Sequence, residues 1–437
     1  MNKEPLFATV SELAHRRSGG LANQTIPHCH LHYNSPGAAG FGVKRTGLLL
    51  PEAVMLLVAP SCCGRHATVA GREAGFDERM YYLRMDERDL VTGRYLGRIA
   101  EAALEVCNTA QPRPKALLIC TTCVDALLGT DLERICRQAE TLCGIPVVPC
   151  YMDPITREGK KPPMVSVQQS LYYSLKPLAK QNNAINLLGN FVPLNDDCEL
   201  QELLRQAGVE TINQISACRT FEEYLEMGGA RLNLVIKPQA QAAAVDLQNR
   251  LGIPYHRLAH LYDLDGIKEQ YRLLFSTLAA TLNDAAYYEE AGASIERLRT
   301  LHGGLRFAVG QTINGNAFEL SLALIKYGFS VPVIFTHIIA EEDRTYIERL
   351  LAVSSDTRIY SSVHPSMLNF DRNMTEIDVA IGLDAGYYFL QAVSVAWNME
   401  QQPFGYRGLV SLFKQIEFAL KHPQNCLEQM HGSYLVI

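Results

Sequence analysis

The sequence lacks the features that mark membrane-bound and secreted proteins. Among its 437 residues, no apolar stretch reaches the roughly 20 residues that a membrane-spanning helix needs. Residues 1–9 contain no long apolar core, so we predict that the chain has no signal peptide. We therefore expect a cytoplasmic protein without a membrane partner.

Signatures of nucleic-acid and nucleotide binding are also missing. The net charge is −6 and no basic run is interleaved with aromatic residues, which argues against a nucleic-acid partner. No GxxxxGK[ST] phosphate-binding motif occurs, so the chain is not expected to bind ATP itself. The composition, with 48% hydrophobic and 20% charged residues, is typical of a globular protein, and the length favours two or three domains.

Short apolar segments alternate with amphipathic helices along the chain. The predicted strands are 53–60, 115–120, 145–150, 184–191, 232–236, 252–258, 305–310, 330–335 and 357–360. Continuous apolar runs separated by helices are typical of parallel sheets that are covered on both faces. Three such groups predict three doubly wound α/β domains, with limits at 1–180, 181–302 and 303–437.

Cysteines follow two of these predicted strands. Of the 12 cysteines, Cys62 and Cys63 come directly after the first strand, and Cys120 and Cys123 come at the end of the second. Cys29 lies in a loop rich in His, Pro and Gly. Ligands of such sheets bind at the carboxyl ends of the strands, and disulfides are a poor explanation for cysteines in a reducing cytoplasm.

The spacing of the cysteines leaves several interpretations open. Cys120 and Cys123 form a Cys-x-x-Cys pair, which suits zinc binding or thiol redox chemistry, but a second such pair is missing. A helix N-terminus lowers a thiol pKa, and the thiolate is the form that binds iron. Gly64 would let the backbone approach a cluster and donate an N–H group to it. From the residues alone, cluster binding and buried structural thiols are equally supported.

Three segments, in order, resemble the nitrogenase component 1 family. They read CHLHYNSPGAAG, VMLLVAPSCCG and LLICTTCVDALLGTDLE. Weaker matches are MDERDLVTGR, AINLLGNF, ARLNLVIKP and QQPFGYRGLVSLFKQIEFAL. The family includes molybdenum–iron protein subunits, cofactor-assembly scaffold subunits and dark-operative protochlorophyllide reductase subunits. Its members have three Rossmann-like domains around a central cleft, so the resemblance implies the same fold class.

The resemblance implies that Cys29, Cys63 and Cys123 bind an iron–sulfur cluster. Cys63 is preferred to Cys62 because it directly precedes the glycine of the family turn, and Cys123 is preferred to Cys120 because it precedes the matching helix segment. Three cysteines fit one half of a shared cluster, either [4Fe–4S] or larger and P-cluster-like. A homologous second subunit, or a second copy of this chain, would complete the cluster at an interface.

Other polar residues have both a functional and an ordinary interpretation. His28 and His30 bracket the first cysteine and would either face the cluster or be solvated loop residues. His337, His364 and Asp384 follow third-domain strands, where a substrate cleft would open, but structural roles are favoured for all three.

Two positions depart from the catalytic nitrogenase subunit, which holds its iron–molybdenum cofactor through one further Cys and one His. Lys237 stands where the Cys would be, and the stretch around Val395 contains no His. We therefore predict that this chain anchors no iron–molybdenum cofactor and does not reduce dinitrogen. Lys237 suits either an anionic ligand or an ordinary salt bridge.

The resemblance implies a subunit of a two-component reductase. A separate ATP-binding iron protein would pass electrons to the interface cluster, which would relay them to a substrate or a second metallocluster. The alternative is a scaffold for the assembly of a nitrogenase-type metallocluster. A third hypothesis, a cluster-free α/β binding protein, is disfavoured by the ordered cysteine motifs.

Overall fold

The computed structural model describes residues 7–14, 42–73, 75–152, 161–179, 181–337, 339–398 and 403–432. The strands in these ranges are β1 Phe7–Thr9, β2 Ala53–Pro60, β3 Met80–Met85, β4 Ala116–Thr121, β5 Val147–Tyr151, β6 Gln181–Leu188, β7 Thr211–Gln214, β8 Ala230–Val235, β9 Tyr255–Arg257, β10 Arg306–Val309, β11 Ser330–Thr336, β12 Arg358–Ser361, β13 Val379–Ile381 and β14 Val393–Val395.

The helices in the same ranges are α1 Val10–Ala14, α2 Val43–Gly47, α3 Ser61–Glu73, α4 Glu87–Thr92, α5 Tyr95–Thr109, α6 Cys123–Leu128, α7 Leu132–Cys143, α8 Pro163–Ser170, α9 Glu199–Gln206, α10 Phe221–Glu226, α11 Gln241–Leu251, α12 Leu264–Thr277, α13 Ala285–Leu301, α14 Ala317–Lys326, α15 Asp343–Val353, α16 Leu383–Tyr388, α17 Gly405–Lys421 and α18 Cys426–Gly432. None of them is long and apolar enough to cross a membrane.

The first sheet is parallel, with the strand order β3-β2-β4-β5. Successive side chains of a strand point to opposite faces, so Met55 and Leu57 belong to one hydrophobic core while Leu56 and Val58 belong to another. Both faces of β2 are therefore buried, which explains its unbroken apolar sequence.

The second sheet is also parallel and has the order β7-β6-β8-β9. A row of asparagines crosses its interior. The Nδ2 of Asn186 donates to the Oδ1 of Asn233 at 2.8 Å, and the Nδ2 of Asn213 donates to the Oδ1 of Asn186 at 3.0 Å. These paired amides align β7, β6 and β8, because a slip in register would leave buried polar groups without partners.

The third sheet has the order β1-β12-β11-β10-β13-β14 and is parallel except for β1, which runs antiparallel to β12. Its first strand therefore comes from the opposite end of the sequence. The sequence pattern did not predict β1, nor the short strands β3, β7, β13 and β14.

The described residues form two compact units. One contains the described residues of 42–193 and 208–258 with the first and second sheets, and the other contains residues 7–14, 194–207 and the described residues from 259 onward with the third sheet. The predicted α/β class with parallel sheets is confirmed, and every predicted strand is present with small shifts at its ends. The division into domains at residues 180 and 302 stays a prediction.

Candidate functional site

The cysteine pair and Cys123 lie at the carboxyl ends of two adjacent strands. In the first sheet, the chain leaves β2 for β3 on one side and later returns to β4 on the other, so a crevice is expected between β2 and β4. Helix α3 begins at Ser61, directly after β2, and Cys62 and Cys63 lie in its first turn. Helix α6 begins at Cys123, separated from β4 by a single residue.

The thiol of Cys63 is close to two others. The Sγ atoms of Cys62 and Cys63 are 3.9 Å apart, with Cys62 exposed and Cys63 half-buried against the core. Burial raises the pKa of Cys63, and the Cys62 and Cys123 thiols raise it further, while the positive charge of Lys44 lowers it. Cys123 is thus near enough to influence the charge of Cys63, and the structure brings together the two preferred cysteines of the described part.

Cys120, by contrast, points into the core. Its side chain is fully buried and belongs to the same hydrophobic cluster as Cys150, its neighbour on β5. The hydrogen bond with Cys120, together with burial, raises the pKa of the Cys150 thiol. Cys120 therefore packs beneath the sheet edge, whereas Cys123 is half-buried at that edge.

Lys44 places a cation beside these thiols, and sequence reasoning missed it. Burial lowers the pKa of Lys44, while Cys120, Cys150 and Cys63 act on it in the opposite direction. Its helix packs tightly on the sheet, because a Cβ on Gly47 would lie 2.9 Å from a methyl carbon of a β4 leucine and 3.5 Å from Cys150 Sγ. No motif marks this lysine, because only the fold brings α2 to the cysteines.

Comparison with known proteins identifies the family. The sequence model for nitrogenase component 1 type oxidoreductases matches residues 38–421. The chain belongs to this family.

Relatives in the nitrogenase component 1 family include proteins named for cofactor synthesis. The nitrogenase iron-molybdenum cofactor biosynthesis protein NifE of Sinorhizobium fredii is 24% identical over 363 residues, covering 78% of this chain and 71% of the relative. The protein of the same name from Nostoc sp. is 23% identical over 417 residues, covering 89% and 85%. The solved structure of nitrogenase Cp1 at pH 6.5 has a TM-score of 0.72 at 16% identity over 94% of this chain and 97% of that one, which shows a common fold.

The third cysteine of the family pattern, Cys29, lies outside the described residues, as do His28 and His30. Their roles stay predictions. Within the described ranges, no group of three or more His, Cys, Asp or Glu side chains is arranged to hold a metal ion. The described ranges therefore contain the Cys62–Cys63 pair and Cys123 but not the third predicted ligand.

Gly64 has a packing reason to be glycine. A Cβ at this position would lie 2.1 Å from the ring of Tyr82, so the tyrosine occupies the space of a side chain. The Tyr82 hydroxyl donates to the carbonyl oxygen of Ala59 at 3.0 Å and thereby fixes the ring beside the first turn of α3. Donation from the Gly64 N–H to a cluster stays a prediction.

Asp125 orders the turn that carries Cys123. Its buried carboxylate accepts the N–H of Thr122 at 3.3 Å and the hydroxyl of Thr130 at 3.4 Å. Burial raises the pKa of Asp125 to about 6, and both hydrogen bonds act against that rise. The Thr-x-x-Asp sequence at 122–125 is a helix-start signal that sequence reasoning missed.

The resemblance places the iron–molybdenum cofactor ligands of the family's catalytic subunit at Lys237 and Val395, and neither residue has a metal-binding side chain. Lys237 follows β8 at the edge of the second sheet, and burial lowers its pKa to about 8. Val395 is the last residue of β14 and is buried in the third sheet. Neither an ammonium nor an alkyl group at these positions suits a soft metal cluster.

The polar residues of the third sheet have structural contacts. Asp384 is fully buried and accepts the Gln311 N–H at 2.8 Å and the Thr312 hydroxyl at 2.6 Å, which joins the loop after β10 to α16. His364 accepts the N–H of Ser366 at 3.1 Å and caps the 3₁₀ turn that follows it. These contacts account for both side chains without a substrate.

Proposed function

We propose that this chain is a subunit of an assembly scaffold for a nitrogenase-type metallocluster, and that it holds an iron–sulfur cluster through Cys63 and Cys123, with Cys29 as a further ligand. The observation that carries the proposal is the placement of the Cys62–Cys63 pair and of Cys123 after the adjacent strands β2 and β4. The names of the NifE relatives favour the scaffold role over electron relay.

The donor set fits an iron–sulfur cluster. Cysteine thiolates are the usual ligands of such clusters, and Cys63 and Cys123 are both half-buried at the sheet edge, accessible yet sheltered. Neighbouring thiols raise the pKa of Cys63 and so oppose its ionisation, and the positive charge of Lys44 partly offsets this rise. Because one chain offers few thiols, a homologous second subunit or a second copy would supply the rest of a [4Fe–4S] or larger P-cluster-like site.

A bound cluster would supply one-electron redox chemistry, and the chain's own residues would position its ligands. Asp125 holds the Thr122 N–H and so orients the first turn of α6. Tyr82 packs against Gly64 and fixes the turn that carries Cys63. Such supporting residues keep the ligands in place before the metal arrives.

Anaerobic purification of the full-length chain, followed by iron and acid-labile sulfide analysis, tests the cluster. We expect iron and sulfide in the wild type, and a loss of most of both in Cys29→Ala, Cys63→Ala and Cys123→Ala. Cys120→Ala and Cys218→Ala are the controls, since Cys120 is a core thiol and Cys218 is a half-buried thiol of the second sheet region. An iron-free wild type, or unchanged spectra in the three ligand variants, would contradict the proposal.

The oxidoreductase description of the family supports a second function, that of a reductase subunit. In that case an ATP-binding iron protein would donate electrons, and the loaded chain would turn over a substrate. The scaffold role instead predicts that the loaded chain transfers its metallocluster to an apo acceptor without turnover. Incubation of the loaded chain with an apo acceptor, and separately with a reduced iron protein and ATP, distinguishes the two.

A further inference from the structure

The second sheet has a strand order equivalent to that of the first, so a crevice is expected between β6 and β8 as well. The chain leaves β6 for β7 on one side and returns to β8 on the other, so β6 and β8 are adjacent strands with diverging continuations. The Ile236 N–H donates to the Leu188 carbonyl oxygen at 3.1 Å, so the strands are still paired where they end. The next residues are Gly189 and Asn190 after β6, and Lys237 after β8.

Lys237 is held against the end of β6. Gly189 has a φ of +114°, and a Cβ there would lie 2.7 Å from the Cβ of Lys237, so the lysine stem fills the space of a side chain. In the part of the chain that the structure describes, the Lys237 side chain has no ion pair or hydrogen bond. Part of the Lys237 side chain reaches the surface, yet burial lowers its pKa to about 8. No carboxylate of the described residues lies near enough to raise this pKa again.

Asn190 presents a second donor without a partner. The residue is only 6% exposed, and its Nδ2 is buried without a hydrogen bond among the described residues. Buried amide groups nearly always have a partner, so an unmatched one requires an explanation. A neutral N–H donor and a desolvated cation therefore follow adjacent strands at one sheet edge.

We propose that Lys237 and Asn190 bind the carboxylate group of a small molecule. A carboxylate has two acceptor oxygens and one negative charge, which suit one ammonium and one amide donor. The 3₁₀ turn Pro238–Ala240 begins directly after Lys237 and leads into the helix α11, and the N-terminal end of a helix favours negative charge. Phosphate, as a dianion, would leave one charge without a counterpart. Neither residue is a proposed cluster ligand, so this site and the cluster can fail independently.

Isothermal titration of the full-length chain with acetate, a monoanion, as the carboxylate probe tests this site, with inorganic phosphate in a second arm. We expect acetate to bind, and Lys237→Met to weaken binding by about tenfold or more, because a charge-assisted hydrogen bond is lost. Asn190→Ala should weaken it by about threefold, the effect of a neutral hydrogen bond. Lys115→Met is the matched control, because it removes the same charge from an exposed lysine of the same unit.

Three results would overturn the proposal: no acetate binding by the wild type, equal binding by wild type and Lys237→Met, or tighter binding of phosphate than of acetate. An equal loss in Lys115→Met would show a general charge effect and would also overturn it. Lys237→Gln provides a second neutral variant of similar length, and circular dichroism verifies that each variant is folded.

Discussion

The first and second sheets have equivalent strand orders, yet their carboxyl edges carry different chemistry. In both, the chain crosses from a central strand to one flank and returns beside it, so a crevice is expected at the adjacent strand ends. The first edge presents the thiols of Cys62, Cys63 and Cys123, and the second presents the ammonium of Lys237 and the amide of Asn190. In the two proposed sites, the topology determines where the ligand binds, and a few side chains after the strands determine which ligand it is.

Both edges also depend on a glycine, but for different reasons. Gly64 lies in helix α3 and its missing side chain is replaced by the Tyr82 ring. Gly189 has a φ of +114°, which other residues rarely adopt, and its missing side chain is replaced by the stem of Lys237. Shortening the Tyr82 side chain would relieve the steric contact at Gly64, whereas no substitution of a neighbour relieves the backbone strain at Gly189. The two glycines should therefore respond differently to substitution.

The largest effect is expected for Gly189→Ala. The substitution combines an unfavourable φ with a 2.7 Å contact to Lys237 Cβ, and should lower the free energy of unfolding by about 3 kcal/mol. Urea denaturation measures this change. Gly144→Ala is the control, since Gly144 has a φ of +68° with nothing within 4 Å of its Cβ position. It should cost about 1 kcal/mol, the strain of a left-handed residue alone. Equal costs would show that the Lys237 contact contributes nothing.

A smaller effect is expected for Gly64→Ala. The added Cβ would displace the Tyr82 ring, which should cost about 2 kcal/mol. Because Tyr82 is 38% exposed, Tyr82→Ala should be tolerated, and Gly64→Ala in that background should cost almost nothing. A double-mutant cycle by urea denaturation measures the coupling. Additive costs would show that the clash with Tyr82 is not the reason for glycine here.

The charge at the second edge should appear in the pH dependence of stability. Burial lowers the pKa of Lys237 from its ordinary 10.5 to about 8. Between these values the unfolded chain holds a proton that the folded chain has released, so the free energy of unfolding should rise with pH. The contribution is about 1 kcal/mol per pH unit. Denaturation at pH 8, 9 and 10 should show this rise in the wild type and in Lys115→Met but not in Lys237→Met.

The sequence predicted the strand pattern far better than it predicted the surroundings of the site. Buried parallel strands such as β2 and β4 require long apolar runs, which are visible in any sequence. The short strand β13 and the edge strand β1 have no such run, because few residues and one-sided burial leave a weak pattern. Lys44 and Tyr82 could not be predicted as neighbours of Cys63, because α2 and β3 reach it only through tertiary packing.

Lys44→Met should have the smallest effect, and only at the first edge. If the thiols of Cys63 and Cys123 bind a cluster, the Lys44 cation stabilises the more negative, reduced state, because opposite charges attract in a poorly solvated site. Removing it should move the reduction potential to a more negative value while iron content stays constant. A redox titration followed by electron paramagnetic resonance measures the shift. Lys237→Met is the control at the second edge, where the same loss of charge should leave the potential unchanged. An equal shift in both variants would mean that the potential follows the net charge of the chain rather than the cation beside the thiols.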